Sequence, residues 1–318
     1  MATRLGGWRR WGAVSRGLLA AASFTMMMSG CASEARVSTN ATALDDSAVT
    51  IGSFNFVESE VLAEIYAVAL EQQGFEVERI LGVGPRELVQ PALAAGLLEF
   101  VPEYSGAALG FLNPDESASE SDVEATHAAL NQALTGGPIV ALAPSPAEDA
   151  NAFVVTRKTA DRYALTAISD LEGVAKNLSF GGPPECPTRP FCLLGLEKVY
   201  GLTFASFVAL DAGGPLTHQA LQQGYVDVAL LFTTDPHLIG RDLVALTDDR
   251  GLQPAENVTP VVRRELLDRW GFEFEEVVNR VSKELTTPEL RELNARVAGG
   301  IDPSRAAREW LSSQENRS

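Results

Sequence analysis

Short apolar runs alternate with helix-period segments from Val49 onward, and this alternation constrains the fold more than any other feature of the chain. Residues 49–52 read as a strand. Residues 58–73 read as a helix with Val61, Leu62, Ile65, Tyr66, Val68 and Ala69 along one stripe, closed by Gly74. A second strand over 75–81, a second helix over 85–95 stopped by Gly96, and a third strand over 97–101 continue the pattern. Strands spaced by helices in this way predict an α/β fold, a parallel sheet with helices on both faces. Ligands gather outside the carboxyl ends of such strands. The stretch L-E-F-V-P-E-Y-S-G-A-A-L, from Leu98 to Leu109, breaks at Pro102 and delivers Glu103, Tyr104, Ser105 and Gly106 to one of these ends. Gly106 permits close approach of the backbone to a ligand, and Ala-Ala-Leu resumes a helix with its first N–H groups open to an anion. Tyr104 is either a binding surface there or a core residue at a strand end. Ser53-Phe54-Asn55-Phe56 joins the first strand to the first helix, so Phe54 and Asn55 face the same crevice unless the segment is a plain turn.

A helix over 121–134 precedes strands over 138–142 and 151–156, with the acidic, Pro-rich A-P-S-P-A-E-D-A between them as a first crossover. A second α/β unit follows. It has a helix from Ser169, strands over 178–181, 207–210 and 226–232, and helices over 193–200 and 217–223, and it ends in Thr233-Thr234-Asp235 at a strand's carboxyl end. After a short strand over 243–246 the remainder reads as helices over 263–270, 274–285, 288–297 and 303–311. Gly82-Val83-Gly84 has the outline of a dinucleotide-binding turn, but Glu87 occupies the third glycine position and no phosphate-binding lysine follows. His127, His218 and His237 show no paired spacing, and neither HExxH nor GxSxG is present, so surface or supporting roles are expected for all three and no metal or catalytic centre.

The first thirty residues read as a secretory leader, with Arg4, Arg9, Arg10 and Arg16 before an apolar stretch over 18–28 that is too short to span a bilayer. Met28-Ser29-Gly30-Cys31 is similar to the lipobox of bacterial lipoproteins, in which the cysteine is acylated and becomes the new N-terminus. Cleavage there would remove four arginines and no acid, adding four negative charges to a chain already at −17. So acidic a body excludes binding to nucleic acid or flat adsorption on an anionic membrane. Its membrane attachment would come from the lipid, through a flexible Ala/Ser/Thr/Asp tether over 31–48. The other two cysteines, Cys186 and Cys192 in P-E-C-P-T-R-P-F-C, are an even pair in an exported chain and predict a disulfide; without further Cys or His ligands nearby they make a poor metal site.

Five separated stretches then carry a family resemblance. I-G-S-F-N-F-V-E-S-E-V-L-A-E-I-Y-A-V-A-L-E, V-P-E-Y-S-G-A-A-L, G-P-P-E-C-P-T-R-P-F-C-L-L-G-L-E-K-V-Y-G-L, V-D-V-A-L-L-F-T-T-D and L-V-A-L-T-D-D-R-G-L-Q-P-A-E-N-V-T-P-V-V-R occur in this order. Together they resemble the substrate-binding lipoproteins of osmoprotectant ABC transporters for glycine betaine, choline and carnitine, over nearly all of the chain from Val49. The resemblance implies a type II periplasmic-binding-protein fold, two α/β lobes joined by two crossovers with the ligand cleft between them. Lobe one would comprise 49–148 and 246–318, and lobe two 149–245. It implies a quaternary amine held in an aromatic cage, a membrane permease partner driven by a cytoplasmic ATPase, a monomer, no cofactor and no catalysis.

By position, Tyr104 matches the tyrosine of the family's E-Y-T-G motif, Phe153 its N-T-Y aromatic, Phe232 an aromatic before Thr233, and Arg189 the arginine that takes a ligand carboxylate. Phe54, Ala107 and Glu256 stand where the family often has Lys, Thr and Tyr, which shifts the pocket toward cations and away from carboxylates. The candidate ligand-binding set is thus Phe54, Asn55, Tyr104, Ala107, Phe153, Arg189, Phe232, Thr233, Thr234, Asp235 and Glu256. Glu256 either lines the cleft or faces solvent beside the turn-formers Pro254 and Asn257. Two other readings remain open: a receptor for an unrelated solute such as an amino acid, and an enzyme on the same fold using Glu103, Asp235 or Glu256.

Overall fold

A computed structural model of the chain describes residues 47–113 and 121–316. The leader, the lipobox with Cys31 and most of the tether lie outside the described residues. In chain order the elements are β1 (Ala48–Phe54), α1 (Val57–Gln72), β2 (Glu76–Gly84), α2 (Arg86–Ala95), β3 (Phe100–Tyr104), α3 (Ser105–Leu112), α4 (Val123–Ala133) and β4 (Ile139–Ala141). Then come β5 (Asn151–Thr156), α5 (Arg157–Tyr163), β6 (Ser179–Gly182), α6 (Leu193–Tyr200), β7 (Ser206–Ala209), α7 (Pro215–Gln222), β8 (Val228–Phe232) and β9 (Leu243–Ala245). The chain ends with β10 (Val258–Arg263), α8 (Arg264–Glu284), α9 (Thr287–Ala298) and α10 (Pro303–Glu315).

These strands form two five-stranded sheets, ordered β2-β1-β3-β10-β4 and β7-β6-β8-β5-β9. Both are mixed, where the strand–helix alternation predicts a parallel sheet. β10 runs antiparallel to β3 and β4, and β5 antiparallel to β8 and β9. The reason is where the chain enters. Each of these strands arrives from the other sheet across the cleft, so it starts at the edge where the parallel strands end: Val258 pairs with Tyr104, and Asn151 with Phe232.

The expected break at Pro102 is absent. β3 continues to Tyr104 because Pro102 lies opposite Pro260 of β10, at a ladder position that exchanges no N–H bonds. Gly82 and Gly84 belong to β2, and the Gly82 N–H donates to Ser53 Oγ at 2.8 Å, so the glycine pair forms strand and not a phosphate-binding turn.

Helix α1 is buried on almost every side instead of along one stripe. α8 and α10 cover the face that the sheet leaves free. This explains why Ala63, Ala67 and Leu70 are as buried as Leu62 and Ile65. Glu64, on the same helix, accepts from Arg79 at 3.0 Å. Gly271, with φ 61°, interrupts α8 and separates the two helices read from sequence over 263–270 and 274–285. A second apolar core beneath the other sheet gathers Phe153, Phe180, Leu196, Tyr200 and Val228 with Cys186 and Cys192. The two connecting segments lie side by side. The Val258 N–H donates to the Ala147 carbonyl at 2.8 Å, and the Asp149 N–H to that of Glu256 at 3.0 Å. Among the described residues no helix is long and apolar enough to cross a membrane.

Candidate ligand-binding site

A cavity of about 920 Å³ opens where the carboxyl ends of both sheets face one another. From the first sheet come Phe56 and Glu58, which follow β1, and Tyr104 and Ala107 at the β3–α3 junction. From the second come Asn151 at the start of β5, Phe191 of the cysteine loop, Phe232 at the end of β8, and Thr234 and Asp235 beyond it. Asp149, Gln253 and Glu256 belong to the connecting segments, and Asn294 to α9. The wall is mainly apolar and carries four aromatic rings, two from each side. Four carboxylates line it, and none of its lining residues is Lys, Arg or His.

The rings are held in layers. Phe54 is buried behind the wall, stacked on Phe56 with centroids 5.9 Å apart and planes at 1°, and Phe56 stacks on Tyr104 at 6.2 Å. The Arg86 guanidinium lies 5.1 Å from the Phe54 ring and is bound to buried Glu103 at 2.8 Å, so this cation is spent within the support. Tyr104 donates its hydroxyl to Glu58 Oε1 at 2.6 Å, and Asn294 donates to Glu58 Oε2 at 2.5 Å. Burial, reinforced by the Glu58 charge, pushes the Tyr104 phenol well above its ordinary value, which keeps it a donor. Asn294 also donates to the Thr234 carbonyl at 3.3 Å, and Arg291 to that of Thr233 at 2.6 Å, so α9 reaches across the cleft.

Two cavity acids resist ionisation. Burial, with the nearby Glu58 charge, raises the Asp149 carboxyl well above its usual range, although Thr234 donates to it at 2.8 Å. Burial raises Glu256 to about 7, against the opposing pull of an Ala107 N–H donated at 2.9 Å and of Arg86. A cation entering this space would meet carboxyl groups that gain from ionising beside it.

The sequence candidates fall into two groups. Tyr104, Ala107, Phe232, Thr234, Asp235 and Glu256 line the cavity. Phe54, Asn55, Phe153, Arg189 and Thr233 do not. Phe54 forms the layer behind Phe56, and Asn55 is exposed. Phe153 is fully buried against Phe180, because antiparallel β5 meets the cleft at its first residue: Asn151 pairs with Phe232, whereas Phe153 pairs with Leu230 deeper in the sheet. Arg189 is exposed on the cysteine loop. Thr233 ties the connecting segment instead, donating its hydroxyl to the Glu148 carbonyl at 2.8 Å and accepting from the Ala150 N–H at 3.0 Å.

Phe56, Glu58, Asp149, Asn151, Phe191, Gln253 and Asn294 line the cavity without being among the sequence candidates. The F-N-F and V-E-S-E runs at the end of β1 were the available signals for the first two. Gly106 is required less by a ligand than by the connecting segment, since its N–H donates to the Ala255 carbonyl at 3.0 Å and an added Cβ would lie 2.8 Å from that oxygen.

Cys186 and Cys192 are joined, with Cα atoms 5.3 Å apart. The loop they close is pinned through the Phe191 carbonyl, which accepts from Gln253 at 3.0 Å and Asn151 at 3.3 Å and so seats the Phe191 ring on the wall. Gly195 on α6 makes room for this loop, because a Cβ there would overlap the Pro190 carbonyl. Both Gly195→Ala and reduction of the disulfide are therefore expected to displace Phe191. Each should weaken ligand binding several-fold, by about 1 kcal/mol for a lost ring contact, while the first sheet stays folded. Calorimetry checks this; unchanged affinity in both would place Phe191 outside the binding energetics.

Comparison with known proteins agrees with this architecture. The family described as the substrate-binding domain of the ABC-type glycine betaine transport system matches residues 47–313. A glycine-betaine-binding protein of Pseudomonas aeruginosa is 30% identical over 258 residues, covering 78% of this chain and 81% of its own. The glycine betaine-binding protein YehZ of Escherichia coli is 26% identical over 278 residues, covering 83% and 90%. A crystal structure described as a glycine betaine/carnitine/choline ABC transporter superposes with a TM-score of 0.77 at 25% identity, covering 84% of this chain and 98% of that one.

Proposed function

Because the chain belongs to the family of substrate-binding domains of ABC-type glycine betaine transport systems, we propose that it captures a quaternary amine cation and presents it to a membrane permease. The observation that carries this reading is the cavity wall: four aromatic rings with four carboxylates and no basic side chain. A trimethylammonium donates no hydrogen bond, so ring faces and negative charge are what reward it, by about 0.5–2 kcal/mol per ring. A ligand carboxylate would find no cation on this wall and would be repelled by Glu58 and, above about pH 7, by Glu256. Choline or another amine without a carboxylate therefore fits better than glycine betaine.

Capture proceeds by closure of the two lobes, 49–148 with 246–318 against 149–245, about the paired connecting segments. Arg291 and Asn294 already bond across that gap. The protein acts as a monomeric, non-catalytic receptor, held at the extracytoplasmic face by acylated Cys31, and the permease it serves is driven by a cytoplasmic ATPase. Titration calorimetry against choline, carnitine and glycine betaine is the test. Choline is expected to bind most tightly and to be recovered unmodified. Absence of binding by every quaternary amine would overturn the ligand class, and tighter binding of glycine betaine would overturn the preference.

A further inference from the structure

His218 on α7 and His237 after β8 belong to different elements, yet their rings meet at 3.7 Å between centroids, with their planes tilted by 33°. Both address one carboxylate. His218 Nε2 is 2.8 Å from Asp235 Oδ2, and His237 Nδ1 is 3.0 Å from Asp235 Oδ1. The three potential donor atoms lie within 4.8 Å of one another. We propose that His218, Asp235 and His237 form a binding site for a divalent transition-metal cation, Zn²⁺ being the best match, in the wall of the ligand cleft.

Two imidazole nitrogens and a carboxylate oxygen are the donor set of open, three-ligand zinc sites, whose fourth position goes to water. Metal–ligand bonds of about 2.0–2.2 Å separate tetrahedral donors by roughly 3.3 Å, so small ring rotations from the present contacts would admit the ion. Access exists as well. A second cavity of about 690 Å³ adjoins the ligand cavity and is lined by all three residues together with Gln219 and Gln222.

His218 is 7% exposed, and its Nδ1 has no partner among the described residues. In the tautomer that donates from Nε2 to Asp235, this leaves a buried acceptor unsatisfied, and full protonation would bury an unmatched donor. A metal on Nε2 would place the proton on the same unpartnered Nδ1, so this atom does not by itself distinguish the metal-bound state, and the site rests on the convergence of the three donor groups. Because Asp235 lines both cavities, the ion would sit beside the amine site, on the wall formed by the second sheet.

The test is titration of the mature, ligand-free protein with Zn²⁺ by calorimetry and with Co²⁺ by absorption. One ion per chain is expected, with the intense visible bands of four- or five-coordinate Co²⁺. Loss of a ligand in His218→Gln or His237→Asn should weaken binding on the order of 100-fold. His237 is half exposed, so its variant is the decisive one should His218→Gln fail to fold. No Zn²⁺ binding by the wild type, or wild-type affinity in His237→Asn, would overturn the site and leave the histidines as buttresses of Asp235. Neither outcome depends on which amine the cleft takes.

Discussion

Glu256→Gln is expected to stabilise the ligand-free protein while weakening its hold on a cation. Burial raises the Glu256 carboxyl in the folded chain from its ordinary 4.5 to about 7. A raised carboxyl means that the folded state holds the proton more tightly than the unfolded state. Its contribution to stability is therefore full below 4.5, declines as pH rises from there to about 7, and stays lost above that. At a pH above 7 the ionised group costs the empty fold up to about 3 kcal/mol, which the glutamine removes while still accepting from the Ala107 N–H. A cation in the cavity reverses the preference by favouring the carboxylate, so choline binding releases a proton and strengthens as pH rises through about 7. The variant should bind choline on the order of tenfold more weakly above that pH and should lose the change in affinity near pH 7, keeping only what Asp149 contributes. Thermal unfolding across pH and calorimetry in two buffers of different ionisation enthalpy measure both halves. A variant less stable at alkaline pH, or one that retains the change in affinity near pH 7, would remove Glu256 from this role.

Tyr104→Ala carries the other large effect. The ring completes the stack that begins at Phe54, and its hydroxyl holds Glu58. Losing a desolvated ring face costs about 2 kcal/mol, or roughly thirtyfold in choline affinity. Tyr104→Phe separates the two contributions. It keeps the ring and leaves Glu58 with the Asn294 donor alone, so a loss of only a few-fold is expected. Equal losses in the two variants would assign the effect to the placement of Glu58 and not to the ring.

How far the site was legible depends on what each signal records. Tyr104, Thr234 and Asp235, which line the cavity, each sit at the carboxyl end of an apolar run, and strand ends can be read from periodicity; Phe232 is reached only through the family resemblance. Phe153 was misplaced because direction within a sheet is not written in a strand's own residues. The antiparallel entry of β5 puts Asn151 at the cleft and Phe153 in the core. Phe191 was missed in favour of Arg189, since a closed loop of this kind can present any of its members. The choice is made by Gln253 and Asn151, which grip the Phe191 carbonyl from other segments. β10 is not legible from its own residues, because Pro260 argues against a strand and only its partner Pro102, itself without an N–H, makes the position tolerable.

The sequence by itself determined the alternation of strands and helices, the two-cysteine loop, the acidic balance and the motifs that mark the family, because these are local or additive properties of the chain. Only the tertiary structure decided which acids share one cavity. Glu58, Asp149, Asp235 and Glu256 come from four separate segments. The raised carboxyls of Asp149 and Glu256 arise first from burial, with the Glu58 charge adding to Asp149 and those of Glu103 and Glu148 to Glu256, and from no property of the residues themselves. The meeting of His218 with His237 is of the same kind. Long-range packing sets distance, and distance with burial sets the electrostatics of a site.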